Sequence, residues 1–268
     1  MEIALLKEEE FQQFRSWLHK TAGISLSPAK KPLVSGRLSK RLKHHRLSSY
    51  GEYFRLITQS NGADELQIAL DLLTTNETYF FREPKHFDFL KAEVLPHAKP
   101  GQPFRLWSAA SSSGEEPYTL AMTLADNLNS TPWEIVASDI SLRVLEKART
   151  GHYSLDRTEG IPKHLLSRYC LKGTGAQEGT FLIERALRSR VQFVQINLNN
   201  ALPRIGEFDV IFLRNVMIYF DMDTKREVVA RMLPHLKSGG YLFVSHSESL
   251  NGINDSLKLV RPSIYRKP

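Results

Sequence analysis

The sequence predicts an α/β protein in which a doubly wound, mainly parallel sheet follows a helical N-terminal segment. Two observations indicate this class. Apolar residues recur at helical spacing through the first 75 residues, and from about residue 104 short apolar runs alternate with amphipathic stretches. We therefore predict a helical domain over residues 1–75 and a sheet domain over residues 76–268.

The first 75 residues favour a small helical bundle. Phe11, Phe14 and Leu18 fall on one face of the first predicted helix. In the later stretches apolar residues recur at helical spacing less regularly. Glycine and proline residues such as Gly23 and Pro28 separate these stretches.

The sheet domain alternates apolar runs with helical patterns. Pro117 in the first turn of one helix and Ser141 at the N-cap of the next are typical of helix starts. Ser238-Gly239-Gly240 predicts a turn, and Pro262 makes the tail 258–266 an edge strand. The predicted strands are 104–110, 133–140, 191–198, 208–216 and 241–247, and the predicted helices are 117–128, 141–150 and 223–236.

Residues 169–193 interrupt this alternation. The segment contains three glycines, followed by a strand-like TFLIE run at 180–184. A hairpin-like insertion fits this pattern better than a helix. A plain connection is the alternative, but loops this long are uncommon in compact domains.

Several classes of protein are excluded by composition. The 268 residues contain no apolar run long enough to cross a membrane, and the acidic N-terminus lacks the features of a signal peptide. The single cysteine, Cys170, cannot form an internal disulfide, which favours a cytoplasmic location. The nine histidines show no metal-binding spacing, so we expect no metal. The lack of a long apolar run predicts no membrane insertion.

The net charge of +7 is unevenly distributed. No acid interrupts residues 28–46, so helical ion pairs within this segment are impossible. A solvated helix face is one interpretation, and a surface for an anionic partner is the other. The basic side chains of the segment are Lys30, Lys31, Arg37, Lys40, Arg41, Lys43 and Arg46.

A tight turn follows the first predicted strand, in LWSAASSSGEEPYTL (106–120). It resembles a nucleotide-binding turn, but Gly114 is its only glycine, and Glu115 and Glu116 would repel a phosphate. Asp139, at the end of the second strand, is placed to accept hydrogen bonds from ribose hydroxyls, or else to cap a helix beside Ser141. Ribose recognition without phosphate recognition favours S-adenosylmethionine, a cationic ligand.

Two further strand ends contribute polar groups to the same edge of the sheet. Asn197 and Leu198 close the third predicted strand, where they can contact adenine, although such residues are also common in loops. Arg214 and Asn215 close the fourth strand and place polar groups at the bottom of the cleft.

Five motifs together resemble the chemotaxis receptor methyltransferases, the CheR family, over nearly the whole chain. The resemblance implies a class I S-adenosylmethionine-dependent methyltransferase sheet with an N-terminal helical domain and a small inserted β subdomain, here about 169–193. The motifs are TTNETYFFRE (74–83), SAASSSGEEPYTLAM (108–122), ASDIS (137–141), FLRNVMIYFD (212–221) and GGYLFVSHSESL (239–250).

The resemblance implies methyl transfer from S-adenosylmethionine to receptor glutamates, giving γ-methyl esters and S-adenosylhomocysteine. It also implies that GTGAQEG (173–179) docks a receptor C-terminal peptide, and that Arg82 and Tyr219 lie nearest the methyl group. The cofactor residues it implies are Asn76, Thr78, Arg82, Glu115, Asp139, Asn197, Leu198, Arg214 and Asn215.

This chemistry agrees with the residue types. A glutamate carboxylate is already ionised at neutral pH, so its methylation needs alignment rather than a general base. Arg82 can grip the carboxylate and the Tyr219 hydroxyl can donate to it. The alternatives are an ion pair of Arg82 with Glu83 or Asp88, and a half-buried aromatic role for Tyr219.

Two rival functions fit less well. A nucleic-acid methyltransferase of the amino-methylating kind has a proline-rich turn after the fourth strand, whereas this chain reads Arg214-Asn215-Val216-Met217. The basic segment also lacks aromatic residues for base stacking, so we expect no nucleic-acid partner. A non-catalytic scaffold would not need the full set of cofactor residues.

Overall fold

The computed structural model describes residues 5–59, 62–128 and 130–268. The chain divides into two compact units, of which the first comprises Met1–Thr75 with Tyr219–Lys225 and the second comprises Asn76–Ile218 with Arg226–Pro268. The sequence did not predict that Tyr219–Lys225 would group with the N-terminal unit. Residues 1–4, 60 and 61 of the predicted helical domain lie outside the described residues.

The first unit is helical, and its helices begin and end where local chemistry requires. Gly23 ends the first helix with φ +70°, a conformation that glycine adopts without strain. Ser49 begins the third helix as a capping box with Glu52. The helices are α1 (Glu8–Ala22), α2 (Lys31–His44), α3 (Tyr50–Thr58) and α4 (Ala63–Leu73).

A buried carboxylate, Glu65 of α4, joins three helices of this unit. Its Oε1 accepts hydrogen bonds from Arg41 Nε of α2 at 2.8 Å and from Tyr53 Oη of α3 at 2.7 Å. His45 Nε2 lies 3.0 Å from Glu65 Oε2. Burial by itself raises the pKa of Glu65, but the hydrogen bonds from Arg41, Tyr53 and His45 outweigh burial and lower the pKa to about 2.

The second unit is built on a mixed sheet of seven strands within the described residues. Its order is β6–β2–β1–β7–β8–β10–β9, in which β6, β2, β1, β7 and β8 run parallel and β10 is antiparallel to β8 and β9. The strands of this sheet are β1 (Phe104–Ser108), β2 (Trp133–Asp139), β6 (Val191–Gln195), β7 (Phe208–Phe212), β8 (Leu236–Phe243), β9 (Lys258–Arg261) and β10 (Ile264–Arg266).

The helices of the sheet domain follow the predicted alternation of strands and helices. Met222–Met232 and Leu142–Thr150 fall within one residue of the predicted N-termini, and Glu115–Asn127 begins two residues before Pro117. The helices are α5 (Pro84–Phe89), α6 (Glu115–Asn127), α7 (Leu142–Thr150), α8 (Lys163–Tyr169), α9 (Arg185–Arg188) and α10 (Met222–Met232).

The inserted sheet begins earlier than the predicted range 169–193. Its strands are β3 (His152–Ser154), β4 (Cys170–Lys172) and β5 (Thr180–Ile183), in the order β3–β5–β4. The TFLIE run is a strand as predicted, but β3 pairs with it from outside the predicted range, and β6 already belongs to the main sheet. Local patterns do not reveal such a distant strand partner.

Two predictions about the sheet edge were wrong in detail. Ser238-Gly239-Gly240 lies inside β8 rather than in a turn, where Gly239 has φ +81° and the register with β7 shifts. A glycine in this conformation is typical of a β-bulge. The tail forms a hairpin of β9 and β10 turned at Pro262 and Ser263, and not a single edge strand.

The candidate site lies where the strand order reverses. The chain leaves β1 for β2 and β6 on one side, and then returns to β7 on the other side of β1. Parallel sheets bind ligands at the carboxyl ends of strands beside such a reversal. No helix among the described residues is long and apolar enough to cross a bilayer.

We expect the variant Glu65→Gln to be less stable than the parent by roughly 3 kcal/mol at pH 7, because it removes a buried carboxylate with a lowered pKa and leaves the partly buried Arg41 without its carboxylate partner. A carboxylate with a lowered pKa stabilises the fold above about pH 4.5 and loses that contribution as the pH falls towards 2. Urea unfolding across this pH range measures both effects. Asp64→Asn, which changes an exposed acid of the same helix, is the matched control. An equal loss of unfolding free energy in both variants would contradict the role given to Glu65.

Candidate active site

The turn after β1 is shaped by packing and not by a phosphate. Gly114 precedes α6 with φ +99°, and a Cβ there would lie 2.6 Å from Tyr153 Oη and 2.9 Å from Ala148 Cβ. The single glycine of the turn is therefore required by the close approach of α7 and β3.

Asp139 at the end of β2 connects two turns. Its Oδ2 accepts a hydrogen bond from the Ser112 N–H at 2.9 Å, and its Oδ1 accepts one from the Ser141 N–H at 3.0 Å. Both interpretations of Asp139 from the sequence remain open, because the carboxylate orders the start of α7 and also lies at the predicted ligand edge. Ser141 is the N-cap residue of α7, but its side chain makes no capping hydrogen bond.

Glu115 is a fully buried carboxylate with one oxygen unused. Its Oε2 accepts a hydrogen bond from Ser113 Oγ at 2.6 Å. Its Oε1 lies 3.8 Å from Arg157 Nη1, beyond hydrogen-bond reach, and has no hydrogen-bond partner in the described part of the chain. Burial raises the pKa of Glu115, which means that its charge is costly until a cation or donor approaches.

Arg214, two residues past β7, is held inside the protein. Its guanidinium lies 2.8 Å from Glu116 Oε2 and 3.1 Å from Glu83 Oε2, and it donates to the Arg82 carbonyl at 2.5 Å. Ser108 Oγ donates to the other oxygen of Glu116 at 2.8 Å. The Arg214 side chain thus joins β1, α6 and the TTNETYFFRE motif, and its part in cofactor binding stays a prediction.

The motif segment from Asn76 to Arg82 lies against the β1 turn. The Asn76 carbonyl accepts a hydrogen bond from Ser112 Oγ at 2.8 Å, and the carbonyl of buried Thr78 accepts one from Arg157 Nη1 at 3.1 Å. These contacts place the predicted cofactor residues Asn76 and Thr78 within the same cluster as Asp139.

Arg82 is half-buried and forms no ion pair with the two acids that the sequence suggested. Its Nη1 donates to the Glu77 carbonyl at 2.9 Å, and its guanidinium lies 5.5 Å from the centre of the Tyr79 ring. Glu83 pairs with Arg214 instead, and Asp88 pairs with Lys91 at 2.9 Å. Among the described residues no carboxylate is within ion-pair distance of the Arg82 guanidinium.

The remaining cofactor candidates lie in turns after their strands. β6 ends at Gln195, so Asn197 and buried Leu198 follow the strand instead of closing it. Asn215 has φ +57°, and its N–H donates to Glu248 Oε2 at 3.1 Å. Glu248 also accepts from the Ser245 N–H at 2.9 Å.

Sequence reasoning missed three residues that organise this cluster. Glu116 and Glu248 fix the loops after β7 and β8, and Arg157 reaches the Thr78 carbonyl and Glu115. Two of the three, Glu116 and Glu248, lie inside motifs that the sequence analysis quoted. Their acidic character beside a strand end was the available signal, whereas nothing local distinguishes Arg157.

Tyr219 belongs to the first unit. It ends a 3₁₀ turn (Met217–Tyr219), and its carbonyl accepts a hydrogen bond from the Ser25 N–H at 2.8 Å. Ile24 and Phe220 form a β-bridge beside it. The backbone of this segment is therefore fixed within the helical unit.

The basic segment divides into two groups of side chains. Lys31 pairs with Glu8 at 3.0 Å, Arg37 donates to the Leu73 and Thr74 carbonyls, and Arg41 bonds Glu65. These three predicted receptor contacts are used within the first unit because acids and carbonyls of other helices reach them. The side chains that remain exposed are Lys30, Lys40, Lys43 and Arg46.

The polar atoms of the site fit a ligand rich in donors and positive charge. Three buried oxygens among the described residues have no hydrogen-bond partner, namely Ser111 Oγ, Glu115 Oε1 and Ser141 Oγ. All three follow β1 or β2 at the ligand edge of the sheet. Buried polar atoms without a partner are rare in folded proteins, so a bound group that satisfies them is expected.

The sheet and the two family matches that follow identify a class I S-adenosylmethionine-dependent methyltransferase. Residues 76–265 match the domain described as CheR methyltransferase, SAM binding domain, and residues 9–74 match the CheR methyltransferase, all-alpha domain. The chain belongs to the CheR methyltransferase family, as its motifs indicated.

Curated relatives cover nearly the whole chain. Chemotaxis protein methyltransferase 2 of Pseudomonas aeruginosa is 44% identical over 260 residues, which cover 96% of this chain and 92% of that protein. The chemotaxis protein methyltransferase of Escherichia coli is 39% identical, with coverages of 97% and 91%. The protein of the same name from Borreliella burgdorferi is 37% identical, with coverages of 98% and 95%.

We expect Glu115→Gln to change stability and cofactor affinity in opposite directions. Removing the buried charge should raise the melting temperature of the ligand-free protein by roughly 2–4 °C, equivalent to about 1 kcal/mol. The same change should weaken S-adenosylhomocysteine binding about tenfold or more, since a charged acceptor is lost. Calorimetric titration and thermal unfolding measure the two effects.

Glu134→Gln, an exposed acid on β2, is the control for this experiment. An affinity equal to that of the parent in the Glu115→Gln variant would show that this carboxylate does not face the cofactor.

Proposed function

We propose that this protein transfers a methyl group from S-adenosylmethionine to glutamate side chains of chemotaxis receptors. The products are glutamate γ-methyl esters and S-adenosylhomocysteine, and the process is sensory adaptation. The names of the curated relatives support the chemotaxis assignment. The receptor glutamate is inferred from the family resemblance and from the chemistry of the site.

The observation that carries the proposal is the unpaired guanidinium of Arg82. Neighbouring acids are occupied, since Glu83 and Glu116 bind Arg214. Arg82 itself contacts only a carbonyl and an aromatic ring among the described residues. A guanidinium left without a carboxylate, next to a methyltransferase cofactor site, favours an anionic acceptor such as a glutamate side chain.

The proposed work of the protein is alignment. When bound, S-adenosylmethionine supplies an electrophilic methyl group. Arg82 would hold one oxygen of the acceptor carboxylate and leave the other free to attack, and Tyr219 is the proposed hydroxyl donor to the same group. No proton has to be removed, because the carboxylate is ionised at neutral pH. An ion pair that is too strong would stabilise the acceptor anion and slow methyl transfer. A half-buried guanidinium therefore suits the holding of the acceptor better than a fully buried one.

A groove on the inserted sheet supports docking of a receptor C-terminal peptide. It has a volume of about 430 Å³ and is lined by residues of β3, β4, β5 and the loop between β4 and β5. The lining combines exposed Leu171 with polar Thr174 and Gln177. An apolar contact beside polar groups suits a short peptide with one large side chain.

We expect receptor-enriched membranes incubated with tritiated S-adenosylmethionine to become labelled in a form that mild alkali releases. Esters are cleaved by alkali, whereas methylated amines are not. Arg82→Ala should lower labelling roughly a hundredfold. Label that resists alkali would contradict glutamate methylation, and receptors that lack their C-terminal residues test the docking groove in the same assay.

We expect the exposed lysines of α2 to steer the acidic receptor helix. The double variant Lys40→Glu/Lys43→Glu should raise the KM for receptors about tenfold at low salt, with little effect at high salt and none on cofactor affinity. Arg41 is unsuitable for this test because it binds Glu65.

Lys163→Glu/Lys258→Glu provides the matched control, since both side chains are exposed and the net charge changes equally. If the control variant raised the KM as much as the α2 variant, the effect would belong to net charge and not to α2.

A further inference from the structure

Three side chains of the second unit form a cluster beside the methyltransferase site, with which it shares Glu83, the ion-pair partner of Arg214. Glu83, His86 and His246 each present one ligating atom, and these atoms all lie within 4.8 Å of one another. His86 is 1% exposed, Glu83 is largely covered, and His246 is exposed at the surface. The cluster is therefore buried at His86 and open to solvent at His246.

The hydrogen bonds of His86 leave its Nδ1 as a free lone pair. Ser263 Oγ donates to the Pro262 carbonyl at 2.6 Å, so this hydroxyl has no second hydrogen for His86. The 2.7 Å contact between His86 Nε2 and Ser263 Oγ must then be donated by the imidazole N–H. Nδ1 has no hydrogen-bond partner among the described residues and lies 3.3 Å from Glu83 Oε2.

Two acceptors facing each other at 3.3 Å repel unless a cation lies near both. In the tautomer that Ser263 fixes, the N–H of His86 is on Nε2, so Nδ1 has no proton to donate to Glu83. Zinc bonds of about 2.0–2.1 Å in tetrahedral geometry separate neighbouring ligand atoms by about 3.3 Å. The 3.3 Å between His86 Nδ1 and Glu83 Oε2 has that value.

Arg214 supplies only part of the positive charge that the cluster needs. Its guanidinium faces two carboxylates, Glu83 and Glu116, and its single positive charge leaves the group of three with a net charge of about −1. The ion pair of Arg214 with Glu83 also orients the carboxylate, as the outer partners of metal ligands do. Ser263 orients the other buried ligand in a similar way, because its hydrogen bond fixes the tautomer and ring orientation of His86.

We propose that Glu83, His86 and His246 form a zinc site, with water as the fourth ligand. The ligand set of two imidazoles and one carboxylate suits Zn²⁺ better than Mg²⁺ or Ca²⁺, which prefer oxygen. The ion takes no part in methyl transfer. It joins the start of α5 to the loop after β8, and so stabilises the segment that carries Arg82.

Histidine spacing could not reveal this site. His86 and His246 are 160 residues apart in the chain, and β7 and β8 bring them together with ring centres 4.6 Å apart. The sequence expectation of no metal came from local spacing rules, which do not detect ligands from distant segments.

Calorimetric titration of the chelator-treated full chain with zinc chloride tests the proposal. We expect one Zn²⁺ per chain and a higher melting temperature with zinc present. His246→Ala should weaken binding at least tenfold and abolish the thermal shift, and it should fold normally because His246 is exposed. Cobalt(II) should give the intense visible bands of a tetrahedral site in the parent protein and lose them in the variant.

His97→Ala, an exposed histidine away from the cluster, is the matched control and should bind zinc as the parent does. Absence of saturable zinc binding by the parent, or binding by His246→Ala equal to the parent, would overturn the proposal. Loss of binding in His97→Ala would also overturn it, because the ion would then lie elsewhere.

Discussion

The buried guanidinium of Arg214 is the interaction on which the site depends. It binds Glu116 at the start of α6 and Glu83 beside Arg82, and so occupies two of the acids near the ligand edge. Removing one partner of a buried pair of this kind costs about 3–5 kcal/mol. Because Arg214 is used in this way, Glu115 and Arg82 keep their charges available to ligands.

This division of charges would let one cleft serve both the cationic cofactor and the proposed anionic acceptor. Glu115 Oε1 has no hydrogen-bond partner among the described residues, and the guanidinium of Arg82 has no carboxylate within ion-pair distance among them. Glu115 Oε1 lies 3.8 Å from Arg157 Nη1, and a direct pairing of Glu115 with Arg82 would remove both charges from the cleft. The fold prevents this by anchoring Glu115 to Ser113 and Arg82 to the Glu77 carbonyl.

Much of the sheet could be predicted from the sequence because its strands are short apolar runs bounded by helical patterns. β1, β2 and β7 begin at the predicted residues, and Asp139 closes β2 as expected. The partner of TFLIE could not be predicted, since strand pairing between His152 and Leu182 depends on residues far apart in the chain. The same limit hid Arg157, whose partners Thr78 and Glu115 lie far from it in the chain.

The basic segment illustrates how local charge patterns mislead. Residues 28–46 contain no acid, but Glu8 and Glu65 reach in from neighbouring helices and pair with Lys31 and Arg41. Isolated lysines such as Lys40 and Lys43 stay exposed on the surface of α2. A run of like charge therefore indicates a candidate surface, and only the fold shows which side chains of that run are free.

A crystal structure of the protein with S-adenosylhomocysteine measures the central claim most directly. The account predicts Glu115 Oε1 within hydrogen-bond distance of the ligand amino group and Asp139 within that distance of a ribose hydroxyl, with the Arg214 ion pairs unchanged. A ligand bound with Glu115 still unpartnered, or with Arg82 pulled onto a carboxylate of this chain, would contradict it.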